Sequence, residues 1–317
     1  MKGLAMKLVI CEFMDDASVA KLAAEFDTLY DPTLVDRRLE LLAALANADG
    51  LIVRNRTQVD SALLEAAAQL RVVGRLGVGL DNIDLPACES RRIAVIPATG
   101  ANARAVAEYV IGTAMALLRE AYTRSTETAY GSWPRTALSN GRELSGKTLG
   151  LIGFGGIGQL TASLAQALGV AVIAHDPMIA ADAPIWKKSG ATPKTLDELL
   201  ARADIVSLHV PLTEQTRNLI DKNALAKMKA GAILINTARG GTVDETALGN
   251  ALRSGHLGGA AIDVFQQEPL PAGNALADAP NLILTPHIAG VTTESNTRVS
   301  ALIAERVAGH LNQAGPS

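Results

Sequence analysis

The sequence predicts an α/β protein built from two doubly wound parallel sheets, each covered by helices. Short runs rich in Val, Ile and Leu alternate with Ala- and Leu-rich stretches along almost the whole chain, as in βαβ units. The length of 317 residues corresponds to about two domains. A glycine-rich turn also joins an apolar run to a helical stretch near the middle of the chain.

Composition excludes several classes of partner. The net charge of −3 and an aromatic content of only 3% argue against nucleic acid and anionic membranes. No apolar run is long enough for a membrane span, and no His or Cys spacing predicts a metal site. Two cysteines, Cys11 and Cys88, indicate reduced thiols in a cytoplasmic protein. We therefore expect no metal, no nucleic-acid partner and no membrane partner.

The first third of the chain contains the predicted elements of one unit. Apolar runs predict strands at residues 8–10, 50–54, 71–74 and 93–96. Helical stretches are predicted at residues 16–26 and 61–69. Residues 102–120 have apolar side chains at helical spacing and predict one long helix.

A second unit follows an irregular segment. Residues 121–144 are polar and lack periodicity, which predicts an irregular arm. A strand at 148–152, a helix at 159–168 and a strand at 170–174 then form a βαβ unit. A last helix is predicted at residues 292–311.

The turn after the strand at 148–152 has the pattern Gly-x-Gly-x-x-Gly. Its candidate ligand-binding residues are Gly153, Gly155, Gly156, Ile157 and Gly158. Glycines let a pyrophosphate approach the backbone, and the N-terminus of the following helix supplies N–H donors. Asp176 ends the next strand, where a carboxylate can accept hydrogen bonds from ribose hydroxyls. We therefore predict a dinucleotide site, and prefer NAD to NADP because Asp176 would repel a 2′-phosphate.

Further polar motifs follow predicted strands in the second half of the chain. They contain Arg239 before two glycines, Glu268 before a proline, and His287 after a proline. Ligands bind at the carboxyl ends of strands in an open α/β sheet. We therefore expect Arg239, Glu268 and His287 to converge on one cleft.

In this order, the motifs resemble those of the D-isomer-specific 2-hydroxyacid dehydrogenases over nearly the whole chain. The resemblance implies two Rossmann-like domains, with a cofactor domain inserted in a flavodoxin-like substrate domain. The NAD-binding domain would span residues 99–290, and the substrate domain residues 1–98 and 291–317. Family members are usually homodimers, which implies a dimerisation arm near residues 121–144.

The resemblance also implies roles for individual residues in hydride transfer between nicotinamide and C2 of a D-type 2-hydroxy acid. His287 would be the general acid/base, and Glu268 would hydrogen-bond to it and favour its protonated form. Arg239 would bind the substrate carboxylate. The cofactor would contact the glycine turn and Asp176, and also Val210, Pro211, Thr237, Ala238, Arg239, Asp263, His287 and Gly290. His209 is expected to shape the cofactor pocket and not to act as the base.

Two sets of residues bear on the substrate. The resemblance implies that the backbone amides of Val78 and Gly79 bind its carboxylate. Arg54 and Arg56 follow a strand and would point the same way in an extended backbone. They predict a second anionic group, a phosphate or a sulfonate. The alternative is that they pair with acids such as Asp49 or Asp60.

Residues 12–15, 30–32 and 54–59 resemble the (S)-sulfolactate dehydrogenase branch of the family, so we favour (S)-3-sulfolactate and sulfopyruvate as the substrate pair. The alternatives within the family are D-3-phosphoglycerate dehydrogenase and hydroxypyruvate or glyoxylate reductase. An alternative of another class is an NADH-sensing, corepressor-like binding protein, which would bind NADH with little turnover.

Overall fold

The computed structural model describes residues 6–313, and they form two compact units. Unit 1 consists of the described residues up to Asn102 and from Val291 onward, and unit 2 consists of Ala103–Gly290. In both units parallel strands alternate with helices, which confirms the predicted α/β class. No helix in the described part of the chain is both long and apolar enough to cross a membrane.

The elements are numbered along the chain. The strands are β1 (Lys7–Ile10), β2 (Asp27–Tyr30), β3 (Gly50–Val53), β4 (Val72–Arg75), β5 (Ala94–Pro97), β6 (Thr148–Ile152), β7 (Ala171–His175), β8 (Thr192–Pro193), β9 (Ile205–Leu208), β10 (Ile233–Asn236), β11 (Gly259–Ile262) and β12 (Leu282–Leu284). The helices are α1 (Asp16–Ala23), α2 (Arg38–Leu45), α3 (Ser61–Ala66), α4 (Leu85–Ser90), α5 (Ala103–Arg119), α6 (Ser125–Ala129), α7 (Gly156–Ala167), α8 (Pro184–Ser189), α9 (Leu196–Arg202), α10 (Lys222–Lys227), α11 (Glu245–Arg253) and α12 (Thr293–Gln313).

The sheet of unit 1 has the parallel order β2-β1-β3-β4-β5, the flavodoxin-like order. Apolar cores cover both of its faces, and α12 contributes to one of them. A Cβ at Gly74 in β4 would lie 2.7 Å from a methyl of Val307 and 2.8 Å from one of Ile303. The glycine thus allows α12 to pack directly against the centre of the sheet.

The sheet of unit 2 has the parallel order β12-β11-β10-β9-β6-β7-β8. The chain runs outward from β6 to β8 and then returns to the other side of β6 at β9. The crevice between the ends of β6 and β9 is therefore the topological switch point, where ligands bind in doubly wound sheets. The glycine turn follows β6, and His209 follows β9.

Several elements differ from the sequence predictions. Helix α7 begins at Gly156 and not at residue 159, so part of the glycine turn forms its first turn. The arm at 121–144 contains the short helix α6. Strand β2 was not predicted because it is an edge strand with alternating exposure and therefore has no continuous apolar run.

Candidate active site

The glycines of the turn after β6 have two different functions. Gly153 has φ +92°, and a Cβ there would lie 2.5 Å from the His209 carbonyl oxygen. A Cβ at Gly158 would lie 2.5 Å from the Gly153 carbonyl oxygen. A Cβ at Gly155 or Gly156 would meet nothing within 4 Å. Gly153 and Gly158 therefore allow close packing, whereas Gly155 and Gly156 border space that a ligand can enter.

Asp176 lies beside this turn. Its Oδ2 accepts a hydrogen bond from Phe154 N at 2.8 Å, and its Oδ1 accepts one from Met178 N at 3.0 Å. The carboxylate at the end of β7 is thus tied to the backbone of the glycine turn itself. This contact fixes a negative charge next to the N-terminus of α7, in the place expected for a ribose-binding acid.

The surroundings of the glycine turn fit a dinucleotide. Gly155 caps α7 without a side-chain hydrogen bond, so the side chains leave the first-turn amides available to an anion. After β10, the Thr237 Oγ1 is buried and has no hydrogen-bond partner, while Ala238 is buried beside it. Val210 and Pro211 follow β9, and Gly290 ends the segment after β12. An unpaired buried hydroxyl at this sheet edge is suited to a polar ligand.

Arg239 lies on a tightly bonded turn after β10. The buried Asn236 donates to the Arg239 carbonyl at 3.1 Å and accepts from Ala238 N at 3.0 Å. A Cβ at Gly240 would lie 1.7 Å from the Phe265 carbonyl oxygen. Only glycine allows this approach, and it brings the Arg239 turn against the loop that follows β11.

Glu268 and His287 form a hydrogen-bonded pair. The distance from His287 Nδ1 to Glu268 Oε2 is 2.8 Å, and Glu268 Oε1 accepts from Phe265 N at 3.0 Å. An ionised carboxylate can only accept, so Nδ1 carries the hydrogen and Nε2 remains for proton exchange with a ligand. The His287 side chain is 39% exposed and can reach one.

Asp263 holds the backbone around His287. Its Oδ1 accepts from Thr285 Oγ1 at 2.6 Å and from Ile288 N at 2.8 Å, and its Oδ2 accepts from Ala289 N at 2.8 Å. Its carbonyl oxygen also accepts from His287 N at 2.8 Å. His287 has φ +57°, in the left-handed region that non-glycine residues rarely adopt. The buried Asp263 thus maintains an unusual backbone conformation at the candidate acid/base.

His209 differs from His287. Its Nε2 lies 3.0 Å from Ser207 Oγ, and burial lowers the pKa of His209 to about 4. The imidazole is therefore neutral at pH 7. A neutral ring packed at the end of β9 suits a structural role in the pocket.

In unit 1, Arg54 follows β3 and is partly buried. Its Nη2 donates to the neutral side-chain oxygen of Asn296 at 2.8 Å, and its Cζ lies 5.9 Å from the centre of the Phe13 ring. Burial lowers the pKa of Arg54. A partly desolvated guanidinium with a neutral amide as its hydrogen-bond partner is favourable for binding an anion.

Arg56 is different, because its guanidinium pairs with the carboxylate of Asp36 at the surface. The sequence had offered Asp49 and Asp60 as alternative partners of the two arginines. Asp49 instead accepts from Lys7 N, and Asp60 pairs with Arg38. Arg54 and Arg56 therefore have different partners.

Glu12, which the sequence analysis missed, organises the loop that carries both arginines. It is 4% exposed. Its Oε1 accepts from Arg54 N at 2.8 Å and Thr57 N at 3.0 Å, and its Oε2 accepts from Arg56 N at 3.2 Å. An available signal was its position just beyond β1, which neighbours β3 in the predicted type of sheet. Its three amide contacts hold the loop that carries the arginines.

Val78 and Gly79 lie in the loop after β4, the strand next to β3. Gly77, the second residue of this loop, has φ +156°, and a Cβ there would lie 1.4 Å from Arg75 Nη1. Because β3 and β4 are parallel neighbours, the backbone of Val78 and Gly79 lies at the same edge of the sheet as Arg54. Among residues 6–313 there is no group of three His, Cys, Asp or Glu side chains that could hold a metal ion.

Comparisons with known proteins agree with this geometry. The family model of the D-isomer specific 2-hydroxyacid dehydrogenase NAD binding domain matches residues 111–289, more than half of the chain. The (S)-sulfolactate dehydrogenase of Chromohalobacter salexigens is 54% identical over 300 residues, which cover 95% of this chain and 96% of that protein. The D-3-phosphoglycerate dehydrogenase of Mycobacterium leprae is 42% identical over 270 residues, 85% of this chain but only 50% of that protein.

A solved structure has a similar fold. The NAD-dependent formate dehydrogenase from Staphylococcus aureus, crystallised in complex with NAD, superposes with a TM-score of 0.81 at 30% identity. The superposition covers 98% of this chain and 97% of that one.

Proposed function

Because this chain belongs to the D-isomer specific 2-hydroxyacid dehydrogenase family, we propose that it is an NAD-dependent dehydrogenase that interconverts (S)-3-sulfolactate and sulfopyruvate. The observation that carries the proposal is the 54% identity to a sulfolactate dehydrogenase over 95% of the chain. Sulfur raises the priority of C3, so (S)-sulfolactate has the spatial arrangement of a D-hydroxy acid.

The proposed chemistry assigns one task to each polar group of unit 2. His287 Nε2 takes the hydroxyl proton of the substrate while the hydrogen on C2 leaves with its electron pair. A bound NAD would supply the nicotinamide ring as the acceptor of that hydride. Glu268 accepts from Nδ1 and stabilises the imidazolium that forms. Arg239 binds the carboxylate and orients the oxygen at C2.

For the sulfonate, we propose Arg54 as the main binding residue and Arg56 as a weaker contributor. The support is the difference in their partners: a neutral amide for Arg54 and a carboxylate for Arg56. An anionic ligand of Arg56 would compete with Asp36. The amides of Val78 and Gly79 are proposed to bind the substrate carboxylate.

For the cofactor, we propose that NAD is preferred to NADP. The support is the Asp176 carboxylate, whose contact with Phe154 N keeps it beside the glycine turn. A 2′-phosphate brought to the same ribose position would meet that negative charge. The ratio of kcat/KM with NADP to that with NAD should rise in Asp176→Ala. An unchanged ratio would show that Asp176 does not select the cofactor.

We also propose a homodimer formed through the arm at 121–144. The support is the exposure of three aromatic side chains in this segment, 70% at Tyr122, 86% at Tyr130 and 78% at Trp133. Large aromatic rings are enriched where protein surfaces associate. Sedimentation velocity would give a dimeric mass for the wild type and a smaller mass for Trp133→Ala if the arm forms the interface.

The experiment that tests the substrate is a side-by-side comparison of NAD-dependent oxidation of racemic sulfolactate and D-3-phosphoglycerate, followed by NADH absorbance. A much larger kcat/KM for sulfolactate supports the proposal. A larger value for phosphoglycerate favours the second candidate, suggested by the relative that is 42% identical. Tight NADH binding with no turnover of either acid, or of hydroxypyruvate and glyoxylate in reverse, indicates a sensor.

A further inference from the structure

We propose that Tyr109 is a positioning residue for His287 and acts through the side chains of Thr285 and Asp263. The inference rests on the proposed function, in which His287 exchanges a proton with the substrate. Tyr109 lies on α5, whereas Thr285 and His287 follow β12, so no local sequence motif connects them. Nothing in the glycine turn or the Glu268–His287 pair requires a tyrosine on α5.

The three side chains form a continuous hydrogen-bonded chain. Tyr109 Oη lies 2.6 Å from Thr285 Oγ1, and Thr285 Oγ1 lies 2.6 Å from Asp263 Oδ1. Asp263 also accepts hydrogen bonds from two backbone amides, and an ionised carboxylate can only accept. Thr285 must therefore donate its single hydroxyl hydrogen to Asp263. Its lone pairs remain for Tyr109, so the tyrosine is the donor at the far end.

This direction gives the tyrosine hydroxyl a specific task. Burial raises the pKa of Tyr109, which keeps the phenol protonated and able to donate at neutral pH. Its hydrogen bond fixes the rotamer in which Thr285 points to Asp263. The Thr285 carbonyl in turn accepts from His287 N at 3.0 Å, and the Asp263 carbonyl accepts from the same N–H at 2.8 Å. The two members of the chain that Tyr109 orients, Thr285 and Asp263, thus both bond to the backbone N–H of His287, whose φ is +57°.

Packing alone does not explain this residue. Tyr109 borders the apolar cluster that α5 and α7 form on one face of the sheet, where a phenylalanine ring would fill the same space. The hydroxyl is the only part of the side chain that reaches the His287 loop through a hydrogen bond. Replacement by Phe removes that contact and leaves the ring in place.

The first test is steady-state kinetics of Tyr109→Phe, Thr285→Val and Thr285→Ser with NAD and sulfolactate. We expect Tyr109→Phe to lower kcat by about 3- to 10-fold, the effect of one neutral hydrogen bond, with KM and the NADH dissociation constant nearly unchanged. Thr285→Val should lower kcat more than Tyr109→Phe does. Thr285→Ser should keep a kcat close to that of the wild type, because it retains the hydroxyl. Wild-type kcat in Tyr109→Phe would overturn the proposal.

A matched control separates positioning from general loss of a tyrosine hydroxyl. Tyr30 in unit 1 donates its hydroxyl to the Met14 carbonyl at 3.2 Å. Tyr30→Phe removes a tyrosine hydroxyl hydrogen bond within unit 1 and should leave kcat unchanged. Equal losses of kcat in Tyr30→Phe and Tyr109→Phe would contradict a specific role for Tyr109.

A second readout does not depend on turnover. In spectra of the ¹⁵N-labelled imidazoles, the signal lost in His287→Gln identifies His287. That signal should shift in Tyr109→Phe and stay in place in Tyr30→Phe; an unmoved signal overturns the proposal. If the wild type oxidises no hydroxy acid but the signal still shifts, the proposed function fails and the positioning of His287 stands.

Discussion

Glu12 in unit 1 and Asp263 in unit 2 are buried carboxylates that organise functional loops at the carboxyl edges of their sheets. Glu12 accepts three backbone amides around Arg54 and Arg56. Asp263 accepts the amides of the two residues after His287. Burial strengthens such bonds because water does not compete for the carboxylate oxygens. One buried acid in each unit thus maintains the backbone from which the functional side chains project.

The two loops differ in how tightly they hold their side chains. His287 has a left-handed backbone and a carboxylate partner for its ring. The Arg54 guanidinium has a neutral amide as its hydrogen-bond partner and lies near an aromatic ring, and Arg56 is exposed. Proton transfer needs a short, aligned contact, whereas attraction of an anion acts over a longer range. We therefore expect disruption of the Asp263 loop to affect turnover and disruption of the Glu12 loop to affect substrate affinity.

The largest effect is expected for Asp263→Asn. An amide NH₂ would face backbone N–H groups, and a displacement of about 1 Å at the acid/base can cost about 100-fold in rate. Single-turnover rates of NADH formation measure this loss. The control is Asp204→Asn, which changes a partly buried acid that accepts from Thr148 N at 2.8 Å at the opposite edge of the same sheet. If the single-turnover rate falls by a similar factor in both variants, the proposed role of Asp263 is wrong.

The next effect is expected for Arg54→Ala. Loss of a charge-assisted bond should raise KM for sulfolactate by about 10- to 100-fold, with a much smaller change for unsubstituted D-lactate. Arg56→Ala should change KM for sulfolactate by only about 2-fold, because Asp36 already occupies this guanidinium. Asp36→Ala releases Arg56 and should lower that KM. Equal losses for the two substrates would exclude a second-anion site.

A smaller effect is expected for Glu12→Gln. The neutral amide keeps the shape of the side chain but weakens its bonds to the amides of Arg54, Arg56 and Thr57. We expect KM for sulfolactate to rise by about 3- to 10-fold, as for a weakened charge-assisted bond, while kcat changes little. A fall in kcat comparable to that of Asp263→Asn would show that the two loops do not differ as proposed.

The smallest effect concerns His209, a strand-end histidine whose ring contacts a hydroxyl instead of a carboxylate. Its pKa is lowered from 6.5 to about 4, so the unfolded chain binds its proton at higher pH than the folded chain does. Unit 2 therefore loses stability as the pH falls from 6.5 toward 4. Calorimetry should show a smaller loss of melting temperature between pH 7 and 5 in His209→Gln, by roughly 4–7 °C. An equal loss of melting temperature in the wild type and in His209→Gln would contradict the lowered pKa of His209.

The sequence was most informative where function depends on residues at fixed spacing. The glycine turn and Asp176 lie on one βαβ unit, so strand, turn and helix lengths determine their proximity. The proximity of His287 and Glu268 could be predicted because both residues follow strands of a parallel sheet. Their contact at 2.8 Å agrees with the expected pairing, although their catalytic roles stay predictions.

Contacts chosen by side-chain conformation could not be predicted in this way. Tyr109 and Thr285 are 176 positions apart, and the tyrosine lies on a helix whose pattern indicates only packing. The partner of Arg56 was missed because an exposed arginine can reach several acids, and Asp36 lies on a segment with little periodicity. Glu12 was missed because one acid after a strand does not reveal how many amides it will accept.

The packing of α12 has a consequence for synthesis of the protein. Val299, Ile303 and Val307 complete one core of unit 1, against strands made more than 200 residues earlier. In the sequence, unit 2 falls between these two segments of unit 1, and it has its own cores. During synthesis on the ribosome, unit 2 can therefore bury its apolar surface before α12 has been made. Until then, one face of β1, β3 and β4 lacks the helix that covers it in the folded protein. During that interval the nascent chain exposes apolar side chains that the folded protein buries, which makes this stage prone to aggregation.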